Sequence, residues 1–147
     1  MRVYLDHAAT APLTEPARAA MIEAYAVLGN PAAAHGSGRQ ARAVLDDARE
    51  VVATCVGADP ERVVFTSGGT EADNLAVFGG WQAYGKPGRL LLTSTIEHQA
   101  VLDSAKAVAN QGGEVRFLPV NAEGEVTGFD GLDRAALISV MRVNNET

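Results

Sequence analysis

The sequence predicts an α/β fold built on a mainly parallel β-sheet. Three stretches of five or six residues, each rich in apolar side chains, have the length and composition of buried strands. A helical pattern separates the first two of them, and a fourth strand-like stretch runs into a glycine-rich turn that leads into another helical pattern. Strands that alternate with helices are typical of parallel sheets, because parallel neighbours need long crossover connections.

The first part of the chain is predicted to become helical after a short irregular segment. Residues 3–12 begin extended and turn irregular as small residues accumulate. A helix opens at Glu15 and Pro16, since proline is tolerated in a first helical turn, and Gly29 ends it. Residues 30–38 are rich in alanine, glycine and serine, so they are predicted to form a loop.

A second helix has the clearest amphipathic pattern in the chain. Its apolar residues recur at spacings of three and four, while charged residues lie off that stripe, which comprises Ala41, Val44, Leu45, Ala48, Val52 and Cys55. Cys55 continues the stripe, so we expect a buried small hydrophobe rather than a nucleophile. A single cysteine also excludes a disulfide within the chain.

The second half supplies the sheet. The predicted strands are residues 62–65, 89–93, 114–118 and 136–141. A helix from about Gln99 to Gln111 lies between the second and third of these strands, and two glycines stop it. Ligands of open α/β sheets bind beyond the carboxyl ends of the strands, where a crossover helix should follow. Because the last strand runs into only a few further residues, we expect the chain to continue in the native protein.

Residues 65–74, FTSGGTEADN, join a strand to a helix through two glycines. This arrangement aims free backbone N–H groups and the positive end of a helix dipole at an anion. Gly68 and Gly69 allow a tight turn and close approach of a ligand, and the hydroxyls of Ser67 and Thr70 add donors. The stretch matches neither nucleotide-binding glycine fingerprint. Residues 65–74 are predicted to bind a phosphate group, and the alternative is a structural turn that caps a helix.

Composition excludes several classes of protein. The net charge of −6, without clusters of Lys and Arg, argues against nucleic-acid binding. No apolar run approaches the ~20 residues that a membrane-spanning helix needs. The first residues lack the pattern of a secretory signal, and the single cysteine fits a reducing compartment. We therefore expect an acidic cytoplasmic protein that binds neither nucleic acid nor membrane.

The histidines and a pair of asparagines are the remaining candidates for a site. His98 follows a strand and precedes a helix, where it could stack on a planar ligand or move protons, or could simply be a polar residue at a helix start. His7 and His35 lie in loops of small residues, and the three histidines lack metal-ligand spacing, so no metal site is predicted. Asn144 and Asn145 follow the last strand and could bind a polar ring or form a turn.

Together, six segments resemble the N-terminal part of the pyridoxal-phosphate-dependent cysteine desulfurases, within the class V aminotransferase family. They occur in the order of that family and cover almost the whole chain, which makes the set far more specific than any one motif. The segments are residues 4–10 (YLDHAAT), 29–31 (GNP) with His35, 56–60 (VGADP), 65–74 (FTSGGTEADN), 95–102 (TIEHQAVL) and 143–146 (VNNE).

The resemblance assigns roles to individual residues. Gly69 and Thr70 look like the pair that holds the phosphate of pyridoxal 5′-phosphate (PLP), which agrees with the physical argument for the turn. His98 looks like the histidine that stacks on the pyridine ring and assists proton transfers. Asn145 looks like the amide that hydrogen-bonds the 3-oxygen of the ring.

The resemblance also implies a domain arrangement. Residues 1–15 correspond to an N-terminal segment, and residues 16–147 to an incomplete cofactor-binding large domain of the fold type I PLP enzymes. His7 and Ala8 fall in the N-terminal segment, near the substrate. The stretch 130–134 is shorter than usual in the family, as though a short helix before the last strand were missing.

The chemistry implied is conversion of L-cysteine to L-alanine, with the sulfur passed to an enzyme cysteine as a persulfide. PLP acts as an electron sink in such reactions. The sulfur would continue to an acceptor such as an iron–sulfur scaffold protein, or to thio-cofactor synthesis. Members of the family are generally homodimers, so a homodimer is expected.

Three residues that the family needs have no counterpart in this sequence. They are the Schiff-base lysine, the aspartate at the pyridine nitrogen and the persulfide-forming cysteine, with which Cys55 does not align. We therefore expect this chain to be inactive alone and to leave sheet edges unpaired. The alternatives are a related class V enzyme, such as a selenocysteine lyase or an aminotransferase, and a non-catalytic chain that binds a phosphate ligand or a complementing subunit.

Overall fold

The computed structural model describes residues 3–144. These residues divide between Phe65 and Thr66 into two compact units. The predicted α/β class is confirmed, since the second unit contains a parallel sheet flanked by helices. Every helix within residues 3–144 is too short or too polar to cross a membrane. The predicted domain boundary after residue 15 concerns a larger protein and stays a prediction.

The first unit is mainly helical. Helix α1 spans Glu15–Tyr25 and helix α2 spans Gly36–Val56, after which Gly57 adopts the left-handed conformation that ends many helices. A 3₁₀ turn follows at Pro60–Arg62. The guanidinium of Arg49 on α2 donates to the carbonyl of Val63 and lies 5.2 Å from the centre of the Phe65 ring. One arginine therefore fastens the segment after α2 to that helix.

Two helix boundaries in this unit differ from the sequence prediction. Helix α1 ends at Tyr25 rather than near Gly29. Helix α2 begins inside the predicted loop, because His35 caps it: its Nδ1 accepts a hydrogen bond from the backbone of Gly38 at 3.3 Å. A Cβ on Gly38 would lie 2.2 Å from the carbonyl oxygen of Ala33. The glycine is thus needed for packing inside a helix, where composition alone suggested a loop.

Cys55 is exposed, so the prediction of burial was wrong. Periodicity identifies the apolar face of a helix, but burial requires an element that covers this face. Of the residues of α2, only Gly38 and Ala53 are buried within the part of the chain that the structure describes. Val51 and Val56 are 63% and 68% exposed, which shows that this side of the helix is uncovered here.

The predicted strand at residues 62–65 is not part of a sheet among residues 3–144. Val63 has extended backbone angles, but none of the strands in the described part of the chain pairs with this segment. Val64 is 65% exposed and Phe65 is 46% exposed. The apolar, β-branched composition therefore predicts the extended backbone at Val63 correctly. The lack of a partner strand within residues 3–144 agrees with the expectation that this chain alone leaves sheet edges unpaired.

The second unit begins with one continuous helical run. Helix α3 spans Gly69–Asn74, a wide π-helical turn spans Leu75–Gly79, and α4 spans Gly80–Tyr84. The strands are β1 (Leu90–Ser94), β2 (Glu114–Leu118) and β3 (Ala135–Ser139), and helix α5 (Gln99–Asn110) connects the first two. The three strands predicted in this unit, at residues 89–93, 114–118 and 136–141, and the helix predicted at residues 99–111 are confirmed within two residues at each end. Residues 130–134, expected to lack a short helix, contain a 3₁₀ turn at Leu132–Arg134.

The sheet has the order β2-β1-β3, and both pairs are parallel. Strand β1 is buried along its whole length, as expected for a central parallel strand covered on both faces. On one face Leu91 packs with Val77 and with Val101, Ala105 and Val108 of α5. On the other face Leu90 and Leu92 pack with Leu118 and Val126. This packing fixes the carboxyl end of β1, from which the candidate site extends.

Candidate functional site

The candidate site lies in the second unit, at the carboxyl ends of the parallel strands. The chain leaves β1 through residues 95–98 and enters α5, and it leaves β3 through residues 140–144. Helix α3, which starts at the glycine-rich turn, packs against α5. The glycine-rich turn and the segments after β1 and β3, all predicted from the sequence to bind a ligand, therefore lie at the same edge of the sheet, as expected for an open α/β fold.

The glycine-rich turn presents free donors. The backbone N–H groups of Gly69 and Thr70 and the Thr70 hydroxyl have no hydrogen-bond acceptor among the described residues, and Thr70 is exposed. A Cβ built on Gly68 or Gly69 meets no atom within 4 Å, so the space beside the turn is open. First-turn N–H groups of a helix that face open space suit an anion. The residues present therefore fit the phosphate of a cofactor.

Ser67 does not contribute to this grip, contrary to the sequence argument. Its backbone N–H and its hydroxyl both donate to Oε2 of Glu71, each at 2.6 Å. The carboxylate of Glu71, the third residue of α3, is thus hydrogen-bonded to the residue that precedes the N-cap Gly68. These hydrogen bonds, the side-chain one first and the backbone one second, hold the pKa of Glu71 below its ordinary value of 4.5.

We expect replacement of Glu71 by Gln to make stability less dependent on acid pH. A carboxyl whose pKa is lower in the folded protein stabilises the fold above its unfolded pKa of 4.5, and this contribution disappears as the pH falls through the folded pKa. The melting temperatures of wild type and Glu71→Gln should therefore differ most near neutral pH and converge in acid. Thermal unfolding between about pH 7 and pH 3 measures this difference.

Glu123→Gln is the matched control, since the Glu123 carboxylate accepts no hydrogen bond within residues 3–144. This variant should follow the wild-type profile. A constant difference between wild type and Glu71→Gln across the pH range would contradict the role given to the carboxylate.

His98 is the N-cap of α5. Its Nδ1 accepts a hydrogen bond from the backbone N–H of Ala100 at 3.2 Å, and Oδ2 of Asp73 on α3 lies 4.0 Å from the same nitrogen. The ring is largely exposed, with 61% of its side chain accessible. The structure confirms that His98 is a polar residue at a helix start, and its accessible ring lies beside the helix that begins at the glycine-rich turn. Its role toward a ligand stays a prediction.

A hydrogen bond between side chains also joins α3 to α5. The amide of Asn74 donates to the carbonyl of Thr70 at 2.7 Å, and its Oδ1 lies 2.7 Å from the hydroxyl of buried Ser104. The helix carrying the free amides and the helix carrying His98 are therefore tied by side chains as well as by apolar packing. Sequence analysis did not identify Ser104 as part of the site.

Two hydrogen-bonded ties also connect the segments after β1 and β3. The carboxylate of Glu97, which is only 8% exposed, accepts from the Ser94 hydroxyl at 2.6 Å and from the backbone N–H of Met141 at 2.9 Å. The amide of Asn144 donates to the carbonyl of Ile96 at 2.8 Å. Sequence analysis did not identify Glu97. The only indication in the sequence is the position of this single acidic residue between an apolar strand and His98.

The other predicted residues are placed as follows. His7 and Ala8 are exposed in the first unit, where the His7 ring contacts Tyr4 edge-on with ring centres 5.4 Å apart. Their substrate role stays a prediction. Asn145, predicted to bind the cofactor ring, lies outside the described residues. Among residues 3–144, no group of three or more His, Cys, Asp or Glu side chains is arranged to hold a metal ion.

Comparison with known proteins identifies relatives over nearly the whole chain. Residues 3–147 match the sequence model of the family described as aminotransferase class-V. The "IscS-like cysteine desulfurase" of Mycobacterium tuberculosis is 44% identical over 97% of this chain and 39% of its own length. The "Cysteine desulfurase IscS" of Pseudoalteromonas translucida is 40% identical over 98% of this chain and 38% of its own length.

Solved structures agree with these relatives. A "NifS-like protein" superposes with a TM-score of 0.90 at 35% identity, covering 99% of this chain and 42% of that one. A structure described as "SspA in complex with cysteine" gives a TM-score of 0.86 at 31% identity, covering 97% and 43%. The chain spans about two fifths of the length of the curated relatives that it matches.

Proposed function

Because this chain belongs to the class-V aminotransferase family, we propose that it forms part of a PLP-dependent cysteine desulfurase. The reaction converts L-cysteine to L-alanine and passes the sulfur to an enzyme cysteine as a persulfide. One observation of the site carries the proposal. Helix α3, which begins with the free amides of Gly69 and Thr70, brings Asp73 to 4.0 Å from His98 at the start of α5.

Different residues of the chain are proposed to bind different parts of the cofactor. The amides of Gly69 and Thr70 would receive the phosphate, which the positive end of the helix dipole also favours. His98 would lie against the pyridine ring, and Asn145 would donate to the ring oxygen. PLP, when bound, supplies an electron sink for the bond that is broken at the substrate.

His98 suits proton transfer because its two ring nitrogens have different surroundings. Nδ1 is engaged by the N–H of Ala100, which assigns the proton of the neutral ring to Nε2. An exposed Nε2 can therefore exchange a proton with the substrate, while the helix cap keeps the ring oriented. His7 and Ala8 are proposed to contact the substrate.

The proposed activity requires residues that this sequence does not contain. The lysine that anchors PLP and the cysteine that receives the sulfur would come from a further segment or chain, so residues 1–147 alone would be inactive. We also propose a cytoplasmic homodimer, and a protein acceptor of the sulfur such as an iron–sulfur scaffold. The reaction chemistry supports the acceptor, because a persulfide must be discharged before the next turnover.

The direct test is to supply L-cysteine and PLP to the protein together with the segment or chain that completes it. Alanine and persulfide, or sulfide after reduction, should form in equal amounts. Alanine and selenium from selenocysteine without turnover of cysteine would indicate a selenocysteine lyase. Transfer of the amino group to a keto acid would indicate an aminotransferase. PLP binding without any of these products would favour the non-catalytic alternative.

We expect Thr70→Ala to weaken PLP binding by about tenfold to a hundredfold, because a hydroxyl donor to a charged phosphate is lost. Titration of the cofactor-free protein with PLP, followed by absorbance, gives the affinity. Thr54→Ala is the matched control, since Thr54 is an exposed threonine of helix α2, outside the candidate site. An unchanged affinity in Thr70→Ala would remove Thr70 from the phosphate site.

A further inference from the structure

Glu97 is a buried carboxylate to which the proposed reaction gives no role. It lies between Ile96 and His98, at 8% exposure, and it has no ion-pair partner among residues 3–144. A buried acidic group without a cation is costly unless hydrogen bonds compensate it. Its partners should therefore show what it contributes.

The hydrogen bonds of Glu97 reach across the sheet edge. Oε1 accepts from the hydroxyl of Ser94, the last residue of β1, at 2.6 Å. The backbone N–H of Met141 donates to Oε1 at 2.9 Å and to Oε2 at 3.1 Å. Met141 lies two residues beyond the end of β3, so one side chain connects the segments that leave both strands.

Backbone pairing between β1 and β3 does not connect the two segments that leave these strands. The register between β1 and β3 ends at Thr93 and Ser139, before either segment reaches the candidate site. Beyond that pair, the two segments are joined by the Glu97–Met141 hydrogen bonds and by the hydrogen bond from Asn144 to the carbonyl of Ile96. Both carboxylate oxygens of Glu97 lie within hydrogen-bond distance of the Met141 N–H.

We propose that Glu97 is a positioning residue that holds the segment carrying His98 in register with the segment carrying Asn144. This inference rests on the proposed function for its catalytic consequence, because the next residues along each segment are the proposed ring contacts, His98 and Asn145. A displacement of about 1 Å between such groups costs up to a hundredfold in rate. Glu97 acts through its neighbours and touches no reacting atom.

The first test uses cofactor-free protein and hydrogen exchange of backbone amides, measured by mass spectrometry on peptides covering residues 95–98 and 140–144. Glu97→Ala should accelerate exchange in both segments by about tenfold, as expected for loss of a buried hydrogen-bond acceptor. Glu97→Gln retains the Oε1 acceptor, so its exchange should stay close to wild type. Ser94→Ala removes one hydrogen bond to Glu97 but leaves the Met141 contact, and it should also exchange like wild type in residues 140–144.

The second test uses the PLP-bound enzyme and the visible circular dichroism of the cofactor, which reports how the ring is held. Glu97→Ala should change this signal and lower kcat by about tenfold, with a smaller effect on KM, and Glu97→Gln should restore both. Should Glu97→Ala fail to fold, Glu97→Asp replaces it, because a carboxylate one methylene shorter keeps the charge but not the reach. Its behaviour should then match that expected for alanine.

Unchanged exchange in Glu97→Ala, wild-type behaviour of Glu97→Asp, or equal damage by Gln and Ala would each overturn the inference. The last outcome would mean that charge, rather than position, is required. Failure of the wild-type protein to bind PLP or to turn over cysteine would instead contradict the proposed function. The exchange experiment, which needs no cofactor, would still decide whether Glu97 holds the two segments together.

Discussion

Replacing His98 by alanine should lower the turnover of L-cysteine by about 10²- to 10⁴-fold while PLP remains bound. The reason is that the proposed proton transfer by His98 is lost, whereas the proposed phosphate donors at Gly69 and Thr70 stay in place. Alanine production at saturating cysteine gives the turnover, and absorbance of the bound cofactor gives the occupancy. Both are to be measured in the completed enzyme, because the family resemblance gives the Schiff-base lysine and the persulfide cysteine no counterpart in this sequence.

A cap effect must be separated from a chemical one, because His98 also accepts the hydrogen bond of the Ala100 N–H at the start of α5. Loss of an N-cap costs about 0.5–2 kcal/mol of stability. Asparagine is a good N-cap but a poor proton carrier, so His98→Asn is the matched variant. It should recover the melting temperature of wild type and remain as inactive as His98→Ala. An asparagine variant with near-normal turnover would refute the proton-transfer role of His98.

Leu91→Ala should reduce the free energy of unfolding by about 2–5 kcal/mol. Leu91 is fully buried in the central strand, paired in register with Val115 on one side and Leu137 on the other. Its side chain packs on α5 through Ala105 and Val108. Truncation removes apolar contacts and leaves a cavity between sheet and helix that the close packing cannot fill.

Denaturant unfolding of the completed protein measures this change. Leu132→Ala is the control for the same substitution at a half-exposed site, where 48% of the residue is accessible, and it should cost less than about 1 kcal/mol. An equal loss of stability in both variants would mean that the Leu91 cluster is not the centre of the second unit.

The elements that were predicted well from the sequence are those in which the pattern of apolar residues within the segment itself indicates which faces are buried. Strand β1 is a run of leucines that must be covered on both faces, and the helix after it is amphipathic and stopped by Gly112, whose φ is +83°. The start of α2 was missed because Gly38 is explained by a close approach to Ala33, not by a loop. Pairing of residues 62–65 and burial of Cys55 depend on distant partners, which no local pattern encodes.

The candidate site follows the same division. Gly69, Thr70 and His98 could be proposed from the sequence because each belongs to a motif of contiguous residues with a chemical rationale. Glu97 and Ser104 were missed because their importance lies in contacts across 44 and 30 positions of sequence, with Met141 and Asn74. A polar residue next to a motif resembles an ordinary surface residue until the fold brings its partner to it.

The wide π-helical turn at Leu75–Gly79 has a consequence for the direction in which the glycine-rich turn opens. Each residue of a regular α-helix advances by about 100° around the axis, and a π turn accommodates one extra residue. Gly80, just after this turn, packs closely on Leu137 of the sheet, which fixes the rotational phase of that end. Removing a single residue from the turn would rotate Gly69 by about 100° against that anchor. The direction in which the proposed phosphate donors point therefore depends on the number of residues between them and the sheet.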